Sequence, residues 1–326
     1  METDNATVAV PAAEKVGEKN EDTTDVLDSD EECPMTPPSG GRFPEGTHIS
    51  KRENGVPIFH TTALHEFRIA KLKKEKESDI RASAVKGVPG AFVLRNFLDK
   101  DECATIIKQT EVHFGYGEAL VSTATGMVSM KDVRNNQRLV WQLEDKSPFL
   151  EILYRRVRPF LPRNGKSLSP CDPAHGDRAT LSKLFKNEKL HDMFTHEPCG
   201  LNERLRFYKY EEGQRFAWHY DGAYHRNDTD ESSQLTFIIY LNDRFSGGET
   251  SFLSTKVLPE PGMALLFYHG SHPLSPLHEG STLFGTTPKY ALRTDVMFRA
   301  PSPDDAKSGG GGVRALKRGG AHYPRQ

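Results

Sequence analysis

In the second half of the chain, apolar and polar residues alternate in short runs that are separated by glycine, proline and other turn-forming residues. Alternation with a period of two residues, interrupted by frequent turns, is typical of the strands of a β-sandwich or a jelly roll. This pattern favours a mainly β fold over alternating β-α units. The runs that we predict as strands are residues 205–210, 216–219, 235–241, 247–252, 263–267 and 289–298.

The first half of the chain contains the predicted helices. Asp99 and Glu102 have the spacing of a capping box, and apolar residues follow them at helical intervals. A second helix is predicted from Pro148, because proline is tolerated at the first helical position. We therefore expect an α+β protein, mainly β, with helices on the N-terminal side of the strands and a folded domain over residues 88–300.

Three segments outside this domain differ from it in composition. Residues 1–50 are acidic and poor in large apolar side chains, which predicts a disordered N-terminal tail. Residues 51–87 are predicted to be a linker that includes a basic helix, and the simplest interpretation of its lysines is a solvated helix face. Residues 301–326 are rich in glycine and basic residues, which predicts a flexible tail.

The composition is that of a globular protein with polar tails, since 45 of the 326 residues are acidic and 43 are basic. This near balance gives no indication of a nucleic-acid or membrane partner. The four cysteines are widely spaced, which favours reduced thiols. No apolar run reaches the length of a bilayer span, and the first residues lack the features of a secretory signal. We therefore expect a cytoplasmic or nuclear protein without a membrane partner.

Two candidate metal ligands, His219 and Asp221, are separated by one residue in a predicted strand. Residues two apart in a strand project to the same face, so the imidazole and the carboxylate would lie together. His278 follows a later strand and is the best candidate for a third ligand. Two histidines and one carboxylate on one face of a metal are typical of non-haem Fe(II) oxygenases. Taken alone, a His-x-Asp pair is better explained by two surface residues.

The residues around this pair form a longer series of motifs. In chain order they are Tyr210-x-x-Gly213-x-x-Phe216-x-x-His219-x-Asp221, Tyr240-Leu241-Asn242, Gly247-Gly248-Glu249-Thr250, Pro261-Gly262, Phe267, His278-Glu279-Gly280 and Lys289-Tyr290-Ala291-Leu292-Arg293. The series resembles that of the Fe(II)/2-oxoglutarate-dependent oxygenases, and within them the prolyl 4-hydroxylase branch. The resemblance covers residues 88–300 and is most specific over residues 204–299. It implies a double-stranded β-helix, a cupin-like jelly roll, as the core of the domain.

The resemblance also implies a catalytic centre and its cofactors. His219, Asp221 and His278 would be the catalytic metal ligands and would hold Fe(II). The cosubstrates would be 2-oxoglutarate and O₂, with ascorbate as a reductant. The expected reaction is hydroxylation of a C–H bond, with release of succinate and CO₂.

A cation is needed for the distal carboxylate of 2-oxoglutarate. Lys289 stands at the position where the family has its lysine or arginine, and Arg293 lies on the same strand face. A salt bridge from Arg293 to Asp295 or Asp243 is the alternative to a role in cofactor binding. Further candidates for cofactor binding are Tyr210, which matches a family tyrosine, and Thr236 and Tyr240, which line the same predicted face two pleats apart. Tyr210 is equally well explained as an aromatic residue of the core.

The substrate is the part of the function that the sequence indicates least. The branch resemblance implies a peptidyl substrate, with a prolyl residue as the target, and an intracellular protein or peptide as the partner. Arg134, Asn135 and Asn136 lie where related enzymes cover their substrate and are candidates for substrate binding. Their alternative role is solubility of a surface loop.

Other functions on the same core stay open at this point. A small-molecule oxygenase would use the same iron site. A nucleobase oxygenase should carry a basic groove with exposed aromatic residues, and the near-neutral charge counts against it. A catalytically silent β-helix used as a binding scaffold would have no reason to retain His219, Asp221, His278 and Lys289. A hydrolytic zinc site would leave Lys289 and Arg293 unexplained.

Several aromatic residues and histidines near the motifs are given structural roles. Phe216 and Trp218 are expected in the core. His225, His269 and His272 are expected to face solvent or to cap other groups, because three ligands already complete the metal site.

Overall fold

The computed structural model describes residues 47–53, 56–61, 79–123, 126–143, 147–162 and 196–300. Residues 1–46 of the predicted acidic tail, most of the predicted basic helix and the whole of the predicted basic tail lie outside these ranges. None of the helices in the described ranges combines the length and the hydropathy that a bilayer span requires.

The described residues form a mainly β structure with two α-helices, α1 (Lys100–Gln109) and α2 (Pro148–Val157). A π-helical turn at Thr110–Phe114 extends α1, and a 3₁₀ turn at Arg158–Phe160 extends α2. The strands are β1 Thr47–Glu53, β2 Val56–Thr61, β3 Arg81–Ala84, β4 Phe92–Arg95, β5 Gly117–Glu118, β6 Val121–Thr123, β7 Gly126–Val128, β8 Gln137–Gln142, β9 Glu197–Leu201, β10 Arg204–Tyr210, β11 Phe216–His219, β12 Ser232–Tyr240, β13 Ser246–Gly247, β14 Thr250–Phe252, β15 Lys256–Val257, β16 Ala264–Tyr268, β17 His278–Gly280, β18 Leu283–Phe284 and β19 Lys289–Arg299.

Eleven of these strands form the main sheet, in the order β1-β2-β8-β10-β19-β12-β16-β4-β3, with β5 paired to β8 and β9 paired to β19. All of its pairings are antiparallel except that of β2 with β8. A smaller antiparallel sheet has the order β11-β17-β14-β15. Two sheets whose strands alternate along the chain in this way form a jelly roll, so the predicted fold class is confirmed.

The main sheet has different neighbours on its two faces, because successive side chains of a strand point in opposite directions. In β12, Phe237 and Ile239 belong to the large apolar cluster that also contains residues of α1 and α2. Tyr240 belongs instead to a second cluster, which contains Phe252 of the smaller sheet. The helices therefore cover one face of the main sheet, and the smaller sheet covers the other.

The two helices begin as the sequence predicts. Asp99 accepts a hydrogen bond from the backbone N–H of Glu102, and Glu102 accepts one from the N–H of Asp99, which completes the capping box. Pro148 occupies the first turn of α2. Arg156 of α2 donates to both carboxylate oxygens of Glu102, at 3.0 and 3.1 Å, so the cap of α1 is also the link between the helices.

Three local predictions differ from the structure. Residues 81–84, which lie in the segment predicted to be a linker and basic helix, form β3, so the main sheet includes strands before the predicted domain start at residue 88. The run at 247–252 is divided into two strands, because Gly247 and Gly248 adopt positive φ angles of 70° and 66°. Trp218 is 43% exposed rather than part of the core.

Candidate active site

His219 and His278 lie directly opposite each other on the paired strands β11 and β17. Asp221 follows two residues after the end of β11, and its backbone carbonyl accepts a hydrogen bond from the N–H of Gly270. Its carboxylate oxygens lie 3.5 Å from Nε2 of His219 and 3.6 Å from Nε2 of His278. The three ligand atoms lie within 4.8 Å of one another, so the structure brings the predicted metal ligands together.

Both histidines point the same ring nitrogen toward the carboxylate. Nδ1 of His219 lies 2.7 Å from the carbonyl of Ala217, and Nδ1 of His278 lies 3.1 Å from that of Pro276. A carbonyl only accepts hydrogen bonds, so each Nδ1 carries a proton and Nε2 is the nitrogen that could bind a metal. Burial lowers the pKa of His278 to about 4, which keeps this ring neutral at neutral pH. Two imidazoles that present Nε2 and one carboxylate fit Fe(II).

Asp221 is buried but ionised, because its surroundings donate to both oxygens. Oδ2 accepts a hydrogen bond from the hydroxyl of Thr236 at 2.7 Å, and Oδ1 accepts one from Nη1 of Arg293 at 2.5 Å. Burial opposes the charge, but the Arg293 guanidinium outweighs it and holds the pKa of Asp221 well below its usual range.

His269 is a buried part of this network, so of its two expected roles, facing solvent and capping other groups, the first is wrong. Its Nδ1 lies 2.9 Å from the hydroxyl of Thr236, and its Nε2 lies 2.8 Å from the hydroxyl of Ser233. Because Thr236 donates to Asp221, it accepts from His269. The strand pattern carried a signal for this position, since His269 is two residues after Phe267 and continues the strand face of Leu265 and Phe267, which pack in the second apolar cluster.

The two other histidines that the sequence did not predict as metal ligands differ in their burial. His225 is exposed, as expected. His272 is buried and stacks on the ring of Tyr268 at a centroid distance of 3.7 Å. Neither belongs to the cluster of possible metal ligands among the described residues.

Lys289 lies at another part of the same cavity. It is 4% exposed, and its Nζ donates to the carbonyl of Gly248 at 2.6 Å. The ring centroids of Tyr210 and Tyr240 are 4.8 and 5.6 Å from Nζ. No carboxylate of the described residues forms an ion pair with Lys289, and burial lowers its pKa to about 8 against an opposing effect of Glu249. This is a buried cation without a counterion in contact.

One cavity connects the lysine with the metal ligands. Its lining consists of Tyr208, Tyr210, Phe216, His219, Asp221, Ile238, Tyr240, Thr250, His278, Glu279, Gly280, Lys289, Ala291 and Arg293. The predicted cofactor residues Tyr210, Tyr240, Lys289 and Arg293 are all among them. Thr236 is not in the lining, and it contacts Asp221 instead. Phe216, expected in the core, is part of the cavity wall and stacks on His219 at 3.6 Å between ring centroids.

The candidate substrate residues hold a loop against the site. The guanidinium of Arg134 lies 4.7 and 4.2 Å from the ring centroids of Tyr208 and Phe216, and its Nε donates to Asn136. Asn135 accepts a hydrogen bond from the backbone N–H of Arg215. Arg134 and Asn136 are buried, so these two side chains support the wall of the cavity from behind.

Comparison with known proteins adds an independent line of support. A family model described as the 2OG-Fe(II) oxygenase superfamily matches residues 205–294. A probable prolyl 4-hydroxylase 3 of Arabidopsis thaliana is 27% identical over 180 residues, which are 54% of this chain and 50% of that protein. A probable prolyl 4-hydroxylase 10 of the same plant is 28% identical over 170 residues, 52% of this chain and 46% of that protein. The chain therefore spans about half the length of the curated relatives it matches.

Solved structures of similar proteins include two prolyl hydroxylases. The prolyl-4-hydroxylase of Pseudomonas putida aligns with a TM-score of 0.35 at 18% identity, covering 65% of this chain and 94% of that one. A prolyl hydroxylase of Trichoplax adhaerens, in complex with a hypoxia inducible factor oxygen degradation domain peptide fragment, aligns with a TM-score of 0.40 at 14% identity, covering 76% and 97%. At these TM-scores the likeness carries no argument, and the fold rests on the strand order given above.

The matched region contains the paired histidines, the carboxylate and the buried lysine. The family to which it is matched uses Fe(II), 2-oxoglutarate and O₂, and the donor atoms present here fit such a metal. Residues 205–294 of this chain are therefore similar to the 2OG-Fe(II) oxygenase superfamily, and prolyl 4-hydroxylases are among the curated relatives.

Proposed function

We propose that this protein is an Fe(II)- and 2-oxoglutarate-dependent dioxygenase that hydroxylates a C–H bond of a peptidyl substrate, with a prolyl residue as the target. One observation carries the proposal: a cluster of two histidines and a carboxylate shares a cavity with a buried lysine that has no counterion in contact among the residues the structure describes. A hydrolytic metal site or a silent scaffold gives no reason for such a lysine, because an unpaired buried cation costs stability.

The metal would be held by Nε2 of His219, Nε2 of His278 and a carboxylate oxygen of Asp221. When bound, Fe(II) with 2-oxoglutarate and O₂ supplies the oxidising chemistry that hydroxylates the substrate and releases succinate and CO₂. The chain orients both imidazoles and fixes the proton on each Nδ1 through the carbonyls of Ala217 and Pro276. Those contacts leave the ligand nitrogens free for coordination.

Lys289 is proposed as the anchor of the distal carboxylate of 2-oxoglutarate. Lys289, Ala291 and Arg293 follow one another on one face of β19, and all three line the cavity. Arg293 contacts Asp221, so the face leads from the lysine to the metal ligands. Tyr210 and Tyr240 flank the ammonium group, and their hydroxyls are proposed to limit where the carboxylate can sit.

The peptidyl substrate is supported by the names of the curated relatives, which are prolyl 4-hydroxylases. We propose that Arg134, Asn135 and Asn136 serve substrate binding indirectly, by holding the loop that backs Phe216 and Tyr208. A cytoplasmic or nuclear location is part of the proposal, supported by the free cysteines Cys103 and Cys199.

The experiment that tests the metal and cosubstrate sites is anaerobic. Purified full-length apoprotein receives Fe(II) and then 2-oxoglutarate, and the visible charge-transfer band of the chelate is followed by absorption. We expect the band in the wild type and not in His219→Ala, which lacks one ligand. Iron binding without a band would contradict the cosubstrate site, and absence of iron binding would contradict the metal centre.

Loss of either histidine is predicted to abolish turnover. His219→Ala and His278→Ala each remove a proposed metal ligand, so neither should consume 2-oxoglutarate or add oxygen to proline-containing peptides. The measurement is succinate formation together with mass spectrometry of the peptides. Circular dichroism of both variants serves as the control for folding. Activity that survived in both variants would refute the ligand assignment.

A further inference from the structure

We propose that Arg293 and Thr236 are positioning residues for the carboxylate of Asp221, and that Arg293 does not serve as an anchor for 2-oxoglutarate. The inference rests on the proposed function, since it assigns roles around the same metal centre. It starts from the contacts of Arg293, which differ from those of Lys289 on the same strand face.

Arg293 lies between two carboxylates. Its Nη1 donates to Oδ1 of Asp221 at 2.5 Å, and its Nη2 donates to Oδ1 of Asp295 at 3.3 Å. The Arg293 side chain is 12% exposed, and those of Asp221 and Asp295 are 3% and 2% exposed. Each terminal nitrogen of the guanidinium therefore serves a different buried carboxylate.

Asp295 fixes the position of this guanidinium from the other side. Its second oxygen, Oδ2, accepts hydrogen bonds from Nη1 of Arg206 and from the amide of Asn202, both at 3.2 Å. Arg206, Asp295, Arg293 and Asp221 thus form a row of alternating charges that contains two cations and two anions. A carboxylate held on both oxygens gives the guanidinium a rigid counterion.

Movement of Arg293 toward a third anion, the carboxylate of 2-oxoglutarate, would disturb this pairing of two cations with two anions. It would leave Asp221 and Asp295 buried with Arg206 as the remaining arginine of the row, and an uncompensated buried charge is costly. Lys289 has the opposite surroundings, since its hydrogen bond goes to the neutral carbonyl of Gly248. The anion of the cosubstrate therefore finds its counterion at Lys289.

Thr236 holds the second oxygen of the ligand carboxylate. Its hydroxyl donates to Oδ2 of Asp221, while His269 donates to that hydroxyl and Ser233 in turn donates to His269. With a donor on each oxygen, the plane of the carboxylate is set before a metal arrives. Partners of this kind orient a ligand, and their loss weakens metal binding.

The test is Co(II) binding to the full-length apoprotein, followed by visible absorption without 2-oxoglutarate. The affinity for 2-oxoglutarate is measured separately on the Co(II)-saturated protein. Thr236→Val removes the hydroxyl at nearly constant volume, whereas Thr236→Ser retains it. Arg293→Lys keeps the charge but loses the guanidinium that contacts both Asp221 and Asp295. We expect Thr236→Val and Arg293→Lys to weaken Co(II) binding about 10-fold and to shift the visible spectrum. Thr236→Ser should behave as the wild type, and 2-oxoglutarate affinity should be unchanged in all three.

Lys289→Met is the matched control with the reverse profile: normal Co(II) affinity and weakened 2-oxoglutarate binding. If Arg293→Lys showed this profile, Arg293 would be an anchor and the inference would be overturned. A wild type that bound no Co(II) would refute the metal centre and the proposed function as well. Melting temperatures of the apoproteins report on folding, and Thr236→Val carries the test by itself if Arg293→Lys does not fold.

Discussion

Two largely buried cations on one face of β19 differ in what surrounds them. Arg293 contacts two carboxylates, and Asp221 and Asp295 raise its pKa against the effect of burial, so it is charged at any pH of interest. Lys289 has no carboxylate in contact among the described residues, and burial lowers its pKa to about 8. At the scale of single residues, the environment therefore distinguishes Arg293, which is already paired with carboxylates, from Lys289, which is available to pair with an incoming anion.

The pKa of Lys289 predicts how 2-oxoglutarate binding depends on pH. Lys289 is charged below its pKa of about 8 and neutral above it, and only the charged form attracts a carboxylate. The affinity of the metal-loaded protein should be constant near neutral pH and should fall about tenfold for each further pH unit in the alkaline range. Anaerobic titrations at several pH values measure this dependence. Lys289→Arg should remove it, because arginine stays protonated, and a wild-type affinity independent of pH would contradict the assignment.

At the scale of elements, α1 and α2 are joined by one buried ion pair. Arg156 is 1% exposed and donates to both oxygens of Glu102 and to the backbone carbonyl of Phe97. Glu102 also closes the capping box with Asp99. The start of α1, the body of α2 and the loop before α1 therefore depend on one guanidinium, and these helices cover the face of the main sheet opposite the site.

Arg156→Met is predicted to destabilise the fold strongly. It leaves Glu102 buried without its cation, a change that typically costs about 3–5 kcal/mol. Urea unfolding followed by circular dichroism measures the difference. Arg95→Met is the matched control, because Arg95 and Glu260 form a pair at 3.2 Å with both side chains 47% exposed, and such surface pairs contribute about 0–1 kcal/mol. Equal decreases in the free energy of unfolding of the two variants would show that burial does not decide the strength of these ion pairs.

At the scale of the whole molecule, the site is assembled from two sheets. The proposed metal ligands His219 and His278 belong to the smaller sheet, whereas Thr236, Lys289 and Arg293 belong to the main sheet. Asp221 receives hydrogen bonds from the main sheet and faces both histidines. A metal bound at this point would connect the two sheets.

Metal binding is therefore predicted to stabilise the native protein. A ligand that binds only the folded state adds about 2.7 kcal/mol to the free energy of unfolding when its free concentration is 100 times its dissociation constant. Addition of Mn(II) should raise the melting temperature of the wild type, and EDTA should reverse the change. The same addition should leave His278→Ala unaffected, because it lacks a ligand. An equal rise in both proteins would indicate metal binding elsewhere.

The sequence predicted the parts of this protein that depend on local periodicity and on motif spacing. The strands around residues 205–298 follow from alternating apolar residues, and the start of α1 follows from the capping box of Asp99 and Glu102. The candidate metal ligands follow from a His-x-Asp spacing and a distant histidine, which strand pairing places opposite each other. These features can be predicted from the spacing of residues along the chain and from the local geometry of helices and strands.

Tertiary structure decided which polar side chains meet. The pairing of Arg293 with Asp221, the burial of His269 between Thr236 and Ser233, and the position of Arg134 over Tyr208 join residues that are distant in sequence. The sequence favoured Lys289 over Arg293 only through the position that the family resemblance implies, because both are basic residues on one strand face. The two differ physically through their neighbours, and those neighbours come from other strands that only the folded sheets bring into contact.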